Sequence, residues 1–330
     1  MIKQHKGTYK HGLVIGKFYP PHLGHKYLID TAEATCEKVT VILCWKRSET
    51  IPATLRAQWL KYVHPHIDLK VIEDRKLSDD DSEGWAKFTL EVLGEKPDAV
   101  FTSESYGDVY AAHMDTVHVL VDKERVDVPV SATMVRRQPT TYAHLLAPCV
   151  RGYFAKRVCV LGAESTGTTT LVKALAKHYQ TVWVPEYGRT YSEAKLLSSH
   201  AHEWKTEEFE HIARTQNSME NTLAEISNGL VICDTNAFAT GVWHERYLGK
   251  RSEKVEAIAR TCAADLYIVT GDEIPFVQDG IRDGEGIRHD MHKRFIERLE
   301  EDQKSYIIVT GNPEERLRNA LKSIEQIFGV

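Results

Sequence analysis

Two hydrophobic patterns alternate along the first half of the chain. Leu13–Gly16 opens the stretch LVIGKF as an unbroken apolar run, and LGHKYLIDTAEATC, starting at Leu23, repeats its apolar positions every three to four residues. The first pattern predicts a buried strand and the second an amphipathic helix. The pair recurs as KVTVILCW then IPATLRAQWLKYVH, and again as DLKVIED then SEGWAKFTLEVLG, before the strands DAVFTSES and VHVLVD. Strands alternating with helices predict a parallel, doubly wound sheet, in which ligands bind beyond the carboxyl ends of the strands.

Near residue 150 the pattern restarts. RQPTTYAHLLAPCVRGYFA reads as a short helical connection broken by Pro. KRVCVLGAESTGTTTLVKALAKHY then gives a strand, a Gly/Thr-rich turn and a helix. GLVICDTN and ADLYIVTG read as further buried strands, SYIIVTG closes the sheet, and PEERLRNALKSIEQIF is a final amphipathic helix. The fold class expected is therefore α/β, with two doubly wound domains over residues 1–152 and 153–330. Each is long enough to bury its own core. No repeat or low-complexity tract interrupts them, and the acidic LSDDDSEG reads as a solvated turn.

Composition narrows the partners. The net charge of −5 comes without a Lys/Arg block, which argues against nucleic acid as a main partner. No apolar run reaches the length of a membrane span, and the polar start MIKQHKGTYKHG has no signal-peptide core. The six cysteines are scattered, lack a C-x-x-C pair and mostly fall in apolar segments. They predict reduced, buried thiols in a cytoplasmic protein. Homo-oligomerisation is left open.

The first chemistry-bearing stretch is GKFYPPHLGH, residues 16–25, at a strand exit. Gly16 allows close backbone approach, and Pro20 and Pro21 stop the strand. His22 and His25, three apart at a helix start, share a face. With Lys17 they form a clamp for charge developing on a phosphate at a helix N-terminus.

The second is GAESTGTTT, Gly162–Thr170, between a strand and a helix. It fits the phosphate-binding pattern G-x-x-x-x-G-K-[ST] at Gly162, Gly167 and Thr169, with Glu164, Ser165, Thr166 and Thr170 lining the turn. Thr169 is the Mg²⁺-binding hydroxyl of that pattern, and Asp234, ending the strand LVICDT, is the second anchor. Position 168 departs: the pattern asks for Lys and the chain has Thr168. The amides still cradle phosphate, but a cation at the β/γ-phosphates is missing. VPEYGRTY offers Glu186, Tyr187 and Arg189 beyond another strand. PFVQDGIRDGEGIR, carrying Asp279, Arg282 and Arg288, reads as a lid that closes arginines over ATP.

His22-Leu23-Gly24-His25 resembles the H-x-G-H signature of the nucleotidylyltransferases, and VSATMVRRQP resembles their I-S-x-T-x-x-R signature, with Ser131, Thr133 and Arg136 in register and Val130 in the Ile place. The resemblance implies transfer of AMP or CMP from a nucleoside triphosphate, with Mg²⁺, to a phosphorylated acceptor. Gly16, Phe18, Gly24, Ser131 and Thr133 would lie on ATP, and Arg136 would fork onto its phosphate oxygens. GKFYPPHLGHKYLI resembles the form seen in the NadR family, which implies nicotinamide mononucleotide (NMN) as acceptor and NAD as product. SEGWAKF then makes Trp85 the candidate to stack on the nicotinamide. FTSESYGDVYA resembles the family segment that lies near the adenosine moiety, which implies Ser103, Glu104 and Ser105 as candidates there.

The second half resembles the kinase half of NadR proteins, which phosphorylates nicotinamide riboside. That implies Glu186 or Asp234 taking the hydroxyl proton and Asp279 holding the ribose. Arg189 or a lid arginine stands in for the missing Lys. With the first strand beginning so early, no N-terminal helix-turn-helix is expected. Two alternatives remain at this stage: a second half that binds nucleotide and regulates without turnover, or a first half that uses another phosphorylated acceptor.

Overall fold

The computed structural model describes residues 7–74, 77, 78, 80–277 and 285–329. The chain divides into two compact units, residues 1–150 and 151–330. The first contains β1 (Tyr9–Gly16), α1 (Leu23–Thr35), β2 (Cys36–Trp45), α2 (Ala53–Val63), β3 (Asp68–Glu73), α3 (Ser82–Leu93), β4 (Ala99–Thr102), α4 (Gly107–His113), β5 (Val117–Leu120) and α5 (Ala132–Arg137). Its five parallel strands lie in the order β3-β2-β1-β4-β5. The chain thus winds out one way from β1 and then the other, and β1 sits at the point where the order reverses. Leu13 and Val14, adjacent on β1, are both fully buried and belong to different apolar clusters. Both faces of this strand are therefore covered, as its unbroken apolar run requires.

After α6 (Pro148–Phe154) the second unit continues with β6 (Lys156–Leu161), α7 (Thr168–Tyr179), β7 (Val182–Val184), α8 (Tyr187–Lys195), α9 (Thr206–Ile226), β8 (Leu230–Asp234), α10 (Ala237–Leu248), α11 (Glu253–Arg260), β9 (Leu266–Thr270), α12 (Arg288–Glu301), β10 (Tyr306–Val309) and α13 (Pro313–Phe328). Its parallel sheet has the order β10-β9-β6-β8-β7. Val158 and Val160 pack to one face with Ile232 and Ile268, while Cys159 and Leu161 pack to the other with Cys233 and Val269. The α/β class with two parallel sheets is thus observed.

Several helices lie where apolar spacing alone does not mark them. The inward stripe of α9 carries Gln216, Asn217 and Glu220 among its apolar residues, and that of α12 carries Arg288 and Arg298. Polar residues inside the stripe break the 3.6-residue signal. In α10, Ala237 through Val242 are all buried, so the first half of the helix has no exposed face to contrast with. The acidic LSDDDSEG segment is more than a solvated turn: Asp81 caps α3, accepting from the Gly84 N–H at 2.9 Å.

Candidate active sites

In the first unit, β1 empties into the loop Lys17–Pro21 and then into α1. Phe18 takes φ 45° and is buried, with its ring edge-on to His25 at 5.0 Å. The loop is anchored by a residue that motif reading misses. Arg56, fully buried on α2, donates to the Lys17 carbonyl at 2.6 Å and to Glu49 at 2.6 Å, and lies 5.2 Å from the Tyr19 ring centre. Its signal in the sequence is a lone arginine on the stripe of Trp59, Leu60 and Val63. Removing one partner of a buried pair strands the other's charge. Arg56→Ala is therefore expected to lower stability by about 3–5 kcal/mol, read from the denaturant midpoint. An unchanged midpoint would contradict this anchoring.

His22 is the N-cap of α1 and His25 its third residue. The His25 N–H donates to His22 Nδ1 at 3.3 Å, and the His22 N–H donates to His25 Nδ1 at 3.3 Å. The rings stack with centres 3.7 Å apart. A Cβ on Gly24 would meet the His22 ring at 3.1 Å, so glycine leaves room for the stack. With both Nδ1 atoms accepting, each ring carries its proton on Nε2 and presents an uncharged donor. Electrostatics agree. Burial and then the Arg125 charge push His22 down to about 4, and burial, His22 and Arg125 hold His25 well below its ordinary range. The pair is thus a neutral two-donor clamp, and the positive charge around it comes from other residues.

Arg136 is one of these. It donates to the Tyr19 carbonyl, lies 4.6 Å from the Tyr19 ring centre and reaches Thr133 Oγ1 at 3.1 Å. The two signature stretches therefore meet at one loop. The Ser131 hydroxyl caps α5, accepting from Met134 N–H at 3.2 Å. Arg125, also missed, pairs with Glu104 at 3.1 Å, which connects the segment of Ser103, Glu104 and Ser105 to the histidines. Trp85 donates from Nε1 to the Ser78 carbonyl at 3.0 Å and packs on the apolar cluster behind α3, and no described contact brings it to the histidines.

In the second unit, the loop after central strand β6 turns through Ser165 at φ 59° and Gly167 at φ 83° into α7. A Cβ on Gly162 would lie 2.3 Å from Thr270 Oγ1 and 2.6 Å from Thr166 Oγ1, so only glycine fits. Thr166 is buried and ties the loop to β9 through Thr270 at 2.7 Å. Glu164, Thr168 and Thr170 follow the same turn, with Thr168 and Thr170 in the first turn of α7. Thr169 donates to Asp234 Oδ2 at 2.5 Å, while Asp234 Oδ1 is buried with no hydrogen-bond partner among the described residues. Burial raises the Asp234 carboxyl, and hydrogen bonds from Thr169 and Thr168 oppose the rise. A hydroxyl beside a carboxylate that keeps one orphaned oxygen fits a hard divalent cation.

Glu186, at the start of α8, is pushed up to about 8 by burial and the nearby Asp234 charge. Arg189 donates to Glu193 at 2.9 Å and lowers both acids electrostatically. Tyr187 is held by its N–H to Gln216 at 3.0 Å. Beside α8 a cavity of about 540 Å³ is lined by Tyr191, Lys195 and Glu208 among others. Asp279 and Arg282 lie outside the described residues, as does the middle of the segment read as a lid. Arg288 opens α12 and donates to the Ser165 carbonyl at 3.3 Å.

With both sites built, comparison with known proteins becomes informative. The AAA domain family model matches residues 157–316. The trifunctional NAD biosynthesis/regulator protein NadR of Escherichia coli strain K12 is 27% identical over 344 aligned residues, covering 96% of this chain and 83% of that protein. Its Salmonella typhimurium strain LT2 counterpart is 26% identical over the same shares. This chain is a homologue of NadR. Crystal structures of a NadR protein in complex with NR, and in complex with NAD and AMP-PNP, superpose with TM-scores of 0.80 and 0.77 at 22% identity. Each covers 99% of this chain and 98% of the NadR chain, so the NadR fold extends through both units. Among the described residues no helix is long and apolar enough to cross a membrane.

Proposed function

We propose that the first unit transfers AMP from ATP to NMN, giving NAD and pyrophosphate, and that the second phosphorylates nicotinamide riboside with ATP. The observation that carries the reading is the stacked, doubly capped His22–His25 pair in the loop that Arg56 and Arg136 hold. It suits a triphosphate whose charge moves onto departing pyrophosphate. An oxygen of the NMN phosphate attacks the α-phosphorus in line, and the bond to the pyrophosphate oxygen breaks. The acceptor is already ionised near neutrality, so positioning and charge stabilisation suffice. The Nε2–H groups of His22 and His25 donate to the phosphate oxygens, with Lys17 and Arg136 adding positive charge. Trp85 is the proposed face for the nicotinamide ring.

In the second unit the loop amides from Gly162 to Thr170 hold the triphosphate. Thr169 and Asp234 would hold Mg²⁺, which when bound neutralises charge on the β- and γ-phosphates. Glu186 is the group proposed to take the riboside hydroxyl proton, since its raised range suits a base near neutral pH. NR and NAD in the related crystal structures support the choice of substrates.

The acceptor is tested by titrating ATP and CTP against NMN, its deamidated analogue and a sugar phosphate without a pyridine ring. ATP with a pyridine mononucleotide should give the highest kcat/KM. Preference for CTP or for the plain sugar phosphate would overturn the assignment.

A further inference from the structure

Thr168 leaves the second nucleotide loop without its own cation. We propose that Arg288 supplies that charge to the terminal phosphate from outside the loop. The inference rests on reading this loop as a nucleotide site and names the group that replaces its lysine.

Four described cations lie around the loop and its acidic partners. Arg316 is buried and already committed: it donates to the carbonyls of Gly311, Thr166 and Gly271 and to Glu273. Its role is to hold the turn in shape. Arg189 is exposed and bonded to Glu193. Lys173 is exposed, with its ammonium 5.0 Å from the Trp183 ring centre.

Arg288 differs from all three. It is 7% exposed, and its guanidinium touches the loop itself through the Ser165 carbonyl at 3.3 Å. Its Nε is buried with no hydrogen-bond partner among the described residues. Buried N–H groups are normally paired, and a desolvated charge without an acceptor is costly. A guanidinium whose Nε has no acceptor among the described residues, set against a turn whose amides favour anions, is completed by phosphate oxygens. The same Ser165 accepts from the Val277 N–H at 2.8 Å, so the chain leading from β9 is fixed to the turn as well.

Hydrogen exchange of the amides between Val158 and Val172, followed while Mg²⁺ with AMP-PNP or with ADP is titrated into the full chain, reads binding at this loop alone. The native chain should be protected at lower concentrations of AMP-PNP than of ADP. Arg288→Ala should weaken AMP-PNP about 10- to 150-fold, as for a lost charge-assisted contact, with ADP much less affected. Arg288→Gln keeps a donor for Ser165 but no charge, and should lose the preference equally. Arg288→Lys should retain most of it. Thr168→Lys added to Arg288→Gln should restore it. Exchange of α12 without nucleotide shows which variants fold. A native preference in Arg288→Gln, or its loss in Lys173→Ala instead, overturns the proposal. Absence of protection by either nucleotide in the native chain removes the nucleotide reading, and the proposal with it.

Discussion

Replacing His22 or His25 with alanine is expected to cut adenylyl transfer by about two to three orders of magnitude, as removal of a preorganised transition-state donor does. The fold should survive, because either change removes one capping contact, worth about 1 kcal/mol. The pH dependence separates this account from a cationic clamp. His22 titrates near 4, so kcat/KM should show no histidine inflection between pH 6 and 8. An inflection near 6.5 that disappears in His22→Ala would show that a charged imidazole carries the reaction. Stability has a definite sign as well. A histidine depressed from about 6.5 in the unfolded chain to about 4 in the fold supports folding fully above 6.5. That support is lost as pH falls toward 4, up to about 3 kcal/mol for His22. The denaturant midpoint should therefore fall less on acidification in His22→Ala than in the native chain.

The second large effect belongs to Asp234. Asp234→Asn should lower riboside phosphorylation by about a hundred- to a thousandfold and leave adenylyl transfer from NMN unchanged. Its carboxylate accepts from Thr169, has a buried oxygen with no hydrogen-bond partner among the described residues, and adds to the charge that raises Glu186. Asparagine keeps the shape and removes the charge. Product chromatography with each substrate measures both activities on one preparation. A parallel fall in adenylyl transfer would mean that Asp234 acts on the fold as a whole. An unaffected phosphorylation rate would remove it from the site.

The sequence is legible where function demands short, contiguous motifs. The loop from Gly16 to His25 and the turn from Gly162 to Thr170 each follow a central strand, where continuous apolar runs announce the sheet. What cannot be read there is the support assembled from distant segments. Arg56 reaches Lys17 across 39 residues, and Arg288 reaches Ser165 across 123. Both are charged residues on buried helix faces; α2 is still readable from its apolar neighbours, whereas Arg288 and Arg298 hide α12 from a search for apolar spacing. The protonation state of the histidines is likewise invisible in His22-Leu23-Gly24-His25. It follows from reciprocal capping, which fixes both Nδ1 atoms as acceptors. Thr168 is legible as a departure, and the sequence narrows its replacement to Arg189 or a lid arginine; the contact that singles out Arg288 is legible only in three dimensions.

The central claim is that one chain carries two separate phosphate chemistries serving NAD formation. Its most direct test incubates purified protein with Mg-ATP and either NMN or nicotinamide riboside, and follows products by chromatography. The account predicts NAD and pyrophosphate from NMN, and from the riboside first NMN with ADP and then NAD. NAD from NMN alone would mean that the second unit binds nucleotide without turning it over. No NAD from either substrate would contradict the account.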